Sequence, residues 1–477
     1  MKHQHIGSLA ASLILCLIAL FTGCKKEIEL ESFSAKDPSI VLTTNAVNVD
    51  KEEQNYEIKM TSNLPWRTKA NVDWITVDQS TLAGSGEKEA IIKIKIGKNP
   101  TIQPRTGTVS VWITDTYQKN FTVNQAAGDP PPLIKRNLYV KVGASGDGAS
   151  WATPISLSAA LAMNLDEGDM IHIAAGTYQP ELAVTGGSAT VAGDKTFEVK
   201  QNIKLIGGYP ANASTGATAD PSVNTTILDG NNTANHVLTI SAPSVSGQQV
   251  NISGITIQKG NTSTSTSNTT INGLAFPKTN GGGIIVGRAA VELVKCIITD
   301  NTGWSGGAGI YAFTNAKVTL RESVVKNNTI SSTGANGGGL HMEKQSDLFV
   351  YSSSISTNGA GGFAGALYQY TGSFHIYNST INGNGAGFVG STTTGKAYGG
   401  IYLREGNGEL VNCTVHGNTS SGIGGGIGVY GTAAAPANLQ IISSTVTGNM
   451  VKSTSALGGG LYMNAADVTV NIHNSII

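Results

Sequence analysis

Cysteine is scarce in this chain, with four in 477 residues, and one of the four, Cys16, lies in an apolar N-terminal run. Removing that run leaves Cys24, Cys296 and Cys413, too few for a disulfide framework to hold the fold. Charge is also scarce: Asp, Glu, Lys and Arg make up 13%, and 31 cations balance 31 anions. A balanced, charge-poor chain has no net field with which to grip nucleic acid. Aromatic residues are only 6%. What the chain does have is glycine, 60 residues, nearly twice the usual share of about 7%. Its ordinary apolar content excludes general disorder, and its length calls for two or three turn-rich domains.

Residues 1–23 read as a signal peptide, with Lys2, an apolar run from Leu9 to Leu20, and then Phe21-Thr22-Gly23-Cys24. The run is short for a membrane span. Small residues before a cysteine resemble the lipobox of bacterial lipoproteins, with Phe21 where leucine is usual. The resemblance implies cleavage after Gly23 and lipid on Cys24. Lys25 after the cysteine implies the outer membrane, and the charged tether 24–38 loosely resembles surface-export signals. The expected location is an outer-membrane lipoprotein exposed at the cell surface, touching the membrane only through its lipid.

Residues 39–127 alternate apolar and polar positions in short runs: Ile40–Thr44, Tyr56–Thr61, Trp74–Asp78, Ala90–Ile96, Thr108–Thr114 and Asn120–Asn124. Period two at that length predicts a small antiparallel β-sandwich. The motifs Asn63-Leu64-Pro65-Trp66, Asp73-Trp74-Ile75-Thr76-Val77 and Arg105-Thr106-Gly107-Thr108-Val109, closed by Val123-Asn124-Gln125, resemble the BACON family of immunoglobulin-like modules. That resemblance implies carbohydrate binding. Trp66 and Trp74 are a sugar platform if an indole is exposed, and sandwich core otherwise.

A proline-rich linker, 128–136, precedes a second region, 137–477. Its opening, Leu138–Val142, Gly148–Thr153, a helical stretch from Ser156 to Leu165 and Gly168–Tyr178, resembles the N-terminal cap and first coil of right-handed parallel β-helices of the pectin-lyase-like superfamily. Repeats then set the architecture. Glycine or alanine before an aliphatic recurs at Ile284, Ile310, Leu340, Leu367, Ile401, Ile427 and Leu461. A second signature, Ser or Cys, any residue, Ile or Val, two residues, Asn, runs from Cys296 to Asn301 and recurs five times, to Ser444–Asn449. The asparagines are expected in left-handed turns and in a ladder with their equivalents. Cys296 and Cys413 share one slot four coils apart, about 19 Å at 4.8 Å per coil, so both are expected to be free and buried. The chain ends inside the second signature, which reads as a truncated C-terminus. The fold class is all-β: a small immunoglobulin-like sandwich followed by a single-stranded right-handed parallel β-helix with an N-terminal cap helix.

Chemistry is harder to find. A lyase needs a base and a means of neutralising a uronate, with calcium a possible aid, and the only grouped candidates are His341, Lys344 and Arg404. Carboxylates are scattered, and no metal site or cofactor is expected outside the lyase alternative. Taking the repeated aliphatics as inward, the next position points outward and reads Ile285, Tyr311, His341, Tyr368, Tyr402, Gly428, Tyr462. Two residues further on come Phe313, Glu343, Tyr370, Arg404 and Tyr430. This double column predicts an exposed strip on which a polysaccharide or a glycoprotein glycan stacks. The alternatives are a polysaccharide lyase or other carbohydrate-active enzyme, and an adhesin that binds protein.

Overall fold

The computed structural model describes residues 36–129, 135–262, 264, 267–387, 397–453, 457–463 and 466–477. The signal peptide, Cys24, nearly all of the tether and the three prolines of the linker lie outside these residues. Two compact units divide the chain, 1–133 and 134–477.

The first unit is a sandwich of a four-stranded and a five-stranded sheet. The four-stranded sheet orders Ile40–Leu42, Gln54–Ser62, Lys88–Ile96 and Ile75–Val77. The five-stranded sheet orders Ala46–Val49, Tyr117–Gln125, Arg105–Thr114, Trp66–Ala70 and Ala83–Gly84. Pairing is antiparallel except where Ala46–Val49 runs parallel to Tyr117–Gln125. The alternation works as expected: Ile58, Met60, Ile92, Ile94, Val109, Val111, Phe121 and Val123 point inward to one core. Sequence periodicity does not indicate Ala46–Val49 or Trp66–Ala70 as strands; in the second, a buried threonine, Thr68, takes the inward position between Trp66 and Ala70 and masks the apolar alternation.

The second unit is a parallel β-helix with sheets of eleven, nine, nine and six strands. Each regular coil passes through them in turn, as in Ile284–Gly287, Ala290–Val294, Ile297–Thr299 and the two-residue Thr302–Gly303. These are called the first, second, third and fourth sheets below. The repeated aliphatics Ile284, Ile310, Leu340, Leu367, Ile401 and Ile427 are fully buried in one continuous core. A helix, Leu157–Ala162, begins where the Ser156 side chain accepts a hydrogen bond from the Ala159 amide. Its Leu157 and Leu161 join the same core as Leu138 and Val199. It is shorter than the expected span because Met163 already adopts extended geometry.

The asparagine ladder is continuous. Nδ2 of Asn301, Asn328, Asn358, Asn384 and Asn418 each donates to Oδ1 of the next rung at 2.9–3.0 Å. The left-handed residue is not the ladder asparagine but the one before it: Asp300, Asn327, Thr357, Gly383, Gly417 and Gly448 all have φ between 53° and 65°. The slot that opens each signature forms a second ladder, in which Ser323 and Ser353 side chains accept from the amides of Cys296 and Ser323. Cys296 and Cys413 occupy that slot as free, buried thiols.

Candidate functional site

The expected glycan strip on the first sheet is not exposed. Tyr311, Tyr368, Tyr402 and His341 are only 4%, 3%, 6% and 8% accessible. Strand alternation does direct them away from the coil core, but a second layer covers them. At one end a hairpin, Asn268–Ile271 with Leu274–Pro277, lays Phe276 edge-on against Phe313 at 5.3 Å and closes over Ile285 and Tyr311. Further along, Phe363, Tyr398 and Ile423 pack over Tyr368 and Tyr402, with Tyr398 stacked 4.2 Å from Tyr402. Gly428 interrupts the aromatic column because Tyr398 fills its place: a Cβ there would lie 2.0 Å from the ring. Tyr370, Tyr430 and Tyr462 are half-buried at the margin of this cluster.

The catalytic alternative is not assembled either. His341 lies between Tyr311 at 5.2 Å and Tyr368 at 4.6 Å, and burial pushes its pKa down to about 4. Lys344 sits exposed on a left-handed turn. Arg404 spreads over the Tyr370 ring at 4.8 Å, and its Nη1 donates to the Tyr368 hydroxyl at 3.5 Å. The Glu343 carboxylate accepts from the Tyr311 hydroxyl. The histidine of this set is thus covered by rings while the lysine is exposed. Among the described residues no three His, Cys, Asp or Glu are placed to hold a metal ion.

A second aromatic column, not picked out in the sequence, lies on the second sheet and is half-exposed. Phe349 stacks on His375 at 5.0 Å and Tyr351 on Tyr377 at 5.3 Å, with planes 11° and 14° apart. Lys317 caps Phe349 at 4.8 Å and Arg321 caps Tyr351 at 4.1 Å. Glu292 pairs with Arg321 at 2.7 Å. Glu409 accepts from the Tyr377 hydroxyl and lies 3.0 Å from His375 Nδ1. These bonds hold Glu409 below the usual carboxylate range and push Tyr377 up to about 12. The ring faces are spent on one another and on cations, so this column is a ladder along the helix axis and not a stacking platform.

The sandwich tryptophans divide the same way. Trp66 is core, 5% exposed, and Trp74 is half-buried beneath the Arg105 guanidinium at 4.2 Å. Trp112, passed over in the sequence, is the different one. It faces outward on the five-stranded sheet, between Arg67 and Gln118 in register, just before the bulge that ends its strand. The half-buried indole lines a groove of about 590 Å³ with Lys69, Asn71, Asp73, Ser110, Asp115 and Gln118. Among the described residues no ring or cation is stacked on it. Period two gave the signal: Val109 and Val111 inward put Trp112 outward.

Comparison with known proteins matches this division of the chain. Residues 64–126 match the BACON family, described as a putative binding domain, N-terminal. Residues 282–477 match the right-handed β-helix region family. The chain carries a BACON domain followed by a right-handed β-helix. Curated proteins provide no match. Among solved structures, a Bacteroides ovatus GH5 xyloglucanase in complex with a XXXG heptasaccharide is similar at 14% identity, with a TM-score of 0.17. The likeness covers 45% of this chain and 46% of that one. The BACON match spans the Trp112 groove, and the β-helix match begins at the first regular coil.

Proposed function

We propose that the protein binds glycan without transforming it, and that the sugar contact is the Trp112 groove of the BACON domain. The observation that carries this reading is an uncovered indole flanked by carboxylates, amides and a hydroxyl, the combination that stacks on a pyranose face and hydrogen-bonds its rim. The BACON match supports binding in general. The half-exposed carboxylate of the β-helix ladder, Glu409, is held deprotonated, opposite to what a glycosidase acid requires. In this reading the β-helix is a rigid body, and lipid at Cys24 would anchor the protein to the outer membrane, facing outward.

The test is affinity electrophoresis of the full chain through gels containing single polysaccharides. Truncating an aromatic anchor costs about 2 kcal/mol, so Trp112→Ala is expected to weaken the retained glycan about thirtyfold. Retention unchanged by Trp112→Ala would sink the assignment.

A further inference from the structure

A second site lies on the β-helix, where the second sheet meets its early irregular coils. A cleft of about 570 Å³ opens there, floored by Ala289 and Ala290 and walled by the segment Ser244–Gln249. The small floor residues leave the depression, and the wall is tied down. Gln248 donates to Glu167, Gln249 donates to Asn251 and Glu292 at 3.1 Å, and Asn202 Nδ2 donates to the Pro243 carbonyl at 3.1 Å. Three lysines line the cleft, Lys135, Lys204 and Lys317, against one carboxylate, Glu167. Among the described residues none of the three has a carboxylate partner; Lys317 has only the Phe349 ring. Lys278, paired with Asp194 at 2.6 Å, and Lys259, paired with Asp229 at 3.1 Å, show by contrast what a neutralised lysine of this unit looks like. A cleft with an uncompensated positive excess draws an anion.

We infer that this cleft holds an anionic sugar residue, its oxyanion at Lys204 and Lys317. The oxyanion is a sulfate ester or a carboxylate, since lysine serves both. The sugar half of the inference rests on the glycan reading above, whereas the anion half does not.

Titration calorimetry on the full chain at low salt tests it, with a sulfated galactan, polygalacturonate and neutral xyloglucan as probes. At least one charged probe is expected to bind, and its affinity to fall about tenfold or more in Lys204→Gln/Lys317→Gln. Added salt should weaken it similarly. Removing two charges elsewhere, Lys59→Gln/Lys326→Gln, should leave it intact. Which charged probe binds identifies the oxyanion. The inference is overturned if neither charged probe binds better than xyloglucan, or if the control variant loses as much as the cleft variant. Trp112→Ala separates the two proposals: it should spare the charged probe at the cleft, and loss there with the lysine variant unaffected would overturn the cleft while leaving the groove.

Discussion

The outer face of the BACON domain's five-stranded sheet and the outer face of the β-helix's first sheet look alike in sequence and differ in the structure. Both alternate, and both place an aromatic side chain on the side away from the core. On the sandwich that side meets solvent, and Trp112 lines an open groove. On the β-helix it meets a second apolar layer, built from a hairpin at 268–277 and from Phe363 and Tyr398 in the turns. Period two fixes the side of the strand on which a residue lies; only the loops decide whether that side is wet.

The contrast breaks most strongly at Tyr402. Tyr402→Ala removes a buried ring under Tyr398 and is expected to destabilise the β-helix by about 3 kcal/mol or more, lowering its calorimetric transition and leaving glycan retention by the folded protein unchanged. Asn358→Ala comes next: it strips donors and acceptors from Asn328, Asn384 and the Val325 carbonyl, at about 2–3 kcal/mol in denaturant unfolding.

Acid sharpens the comparison further. Burial holds His236 and His341 at about 4, below the ordinary 6.5, so the unfolded chain takes up protons first as pH falls. Their contribution is fully present above pH 6.5 and declines toward pH 4, with about 2 kcal/mol lost per histidine by pH 5. The sandwich has no histidine between residues 36 and 129. Calorimetry at pH 7 and pH 5 should therefore show the β-helix transition falling and the sandwich transition nearly still. The smallest expected effect is Cys413→Ser, below about 1 kcal/mol, because serine fills the equivalent slot at Ser379 and Ser444 with the same carbonyl contacts. Cys296, its thiol pushed up to about 12 by burial, should resist thiol reagents until the coil opens.

The solenoid was legible because its determinants are local and repeated: the aliphatic after glycine, the slot residue and the asparagine recur within each coil. The slot register placed Cys296 and Cys413 correctly in separate coils. The site was less legible because what covers it is distant. Phe276 reaches Phe313 from 37 positions away in sequence, and nothing in either strand announces the contact. The left-handed corner fell one residue before the ladder asparagine because that asparagine's side chain is committed inward, to carbonyls of its own and the preceding coil. Trp112 could have been found by carrying the same alternation through Val109 and Val111.

The most direct test labels the protein with 5-fluorotryptophan, giving one fluorine resonance for each of the five tryptophans. Titrating in the retained neutral glycan should shift the Trp112 resonance while those of Trp66, Trp74 and Trp151 stay in place. A glycan that binds without moving Trp112, or that moves Trp304, the exposed indole of the β-helix, instead, would contradict the assignment of the sugar contact to the BACON groove.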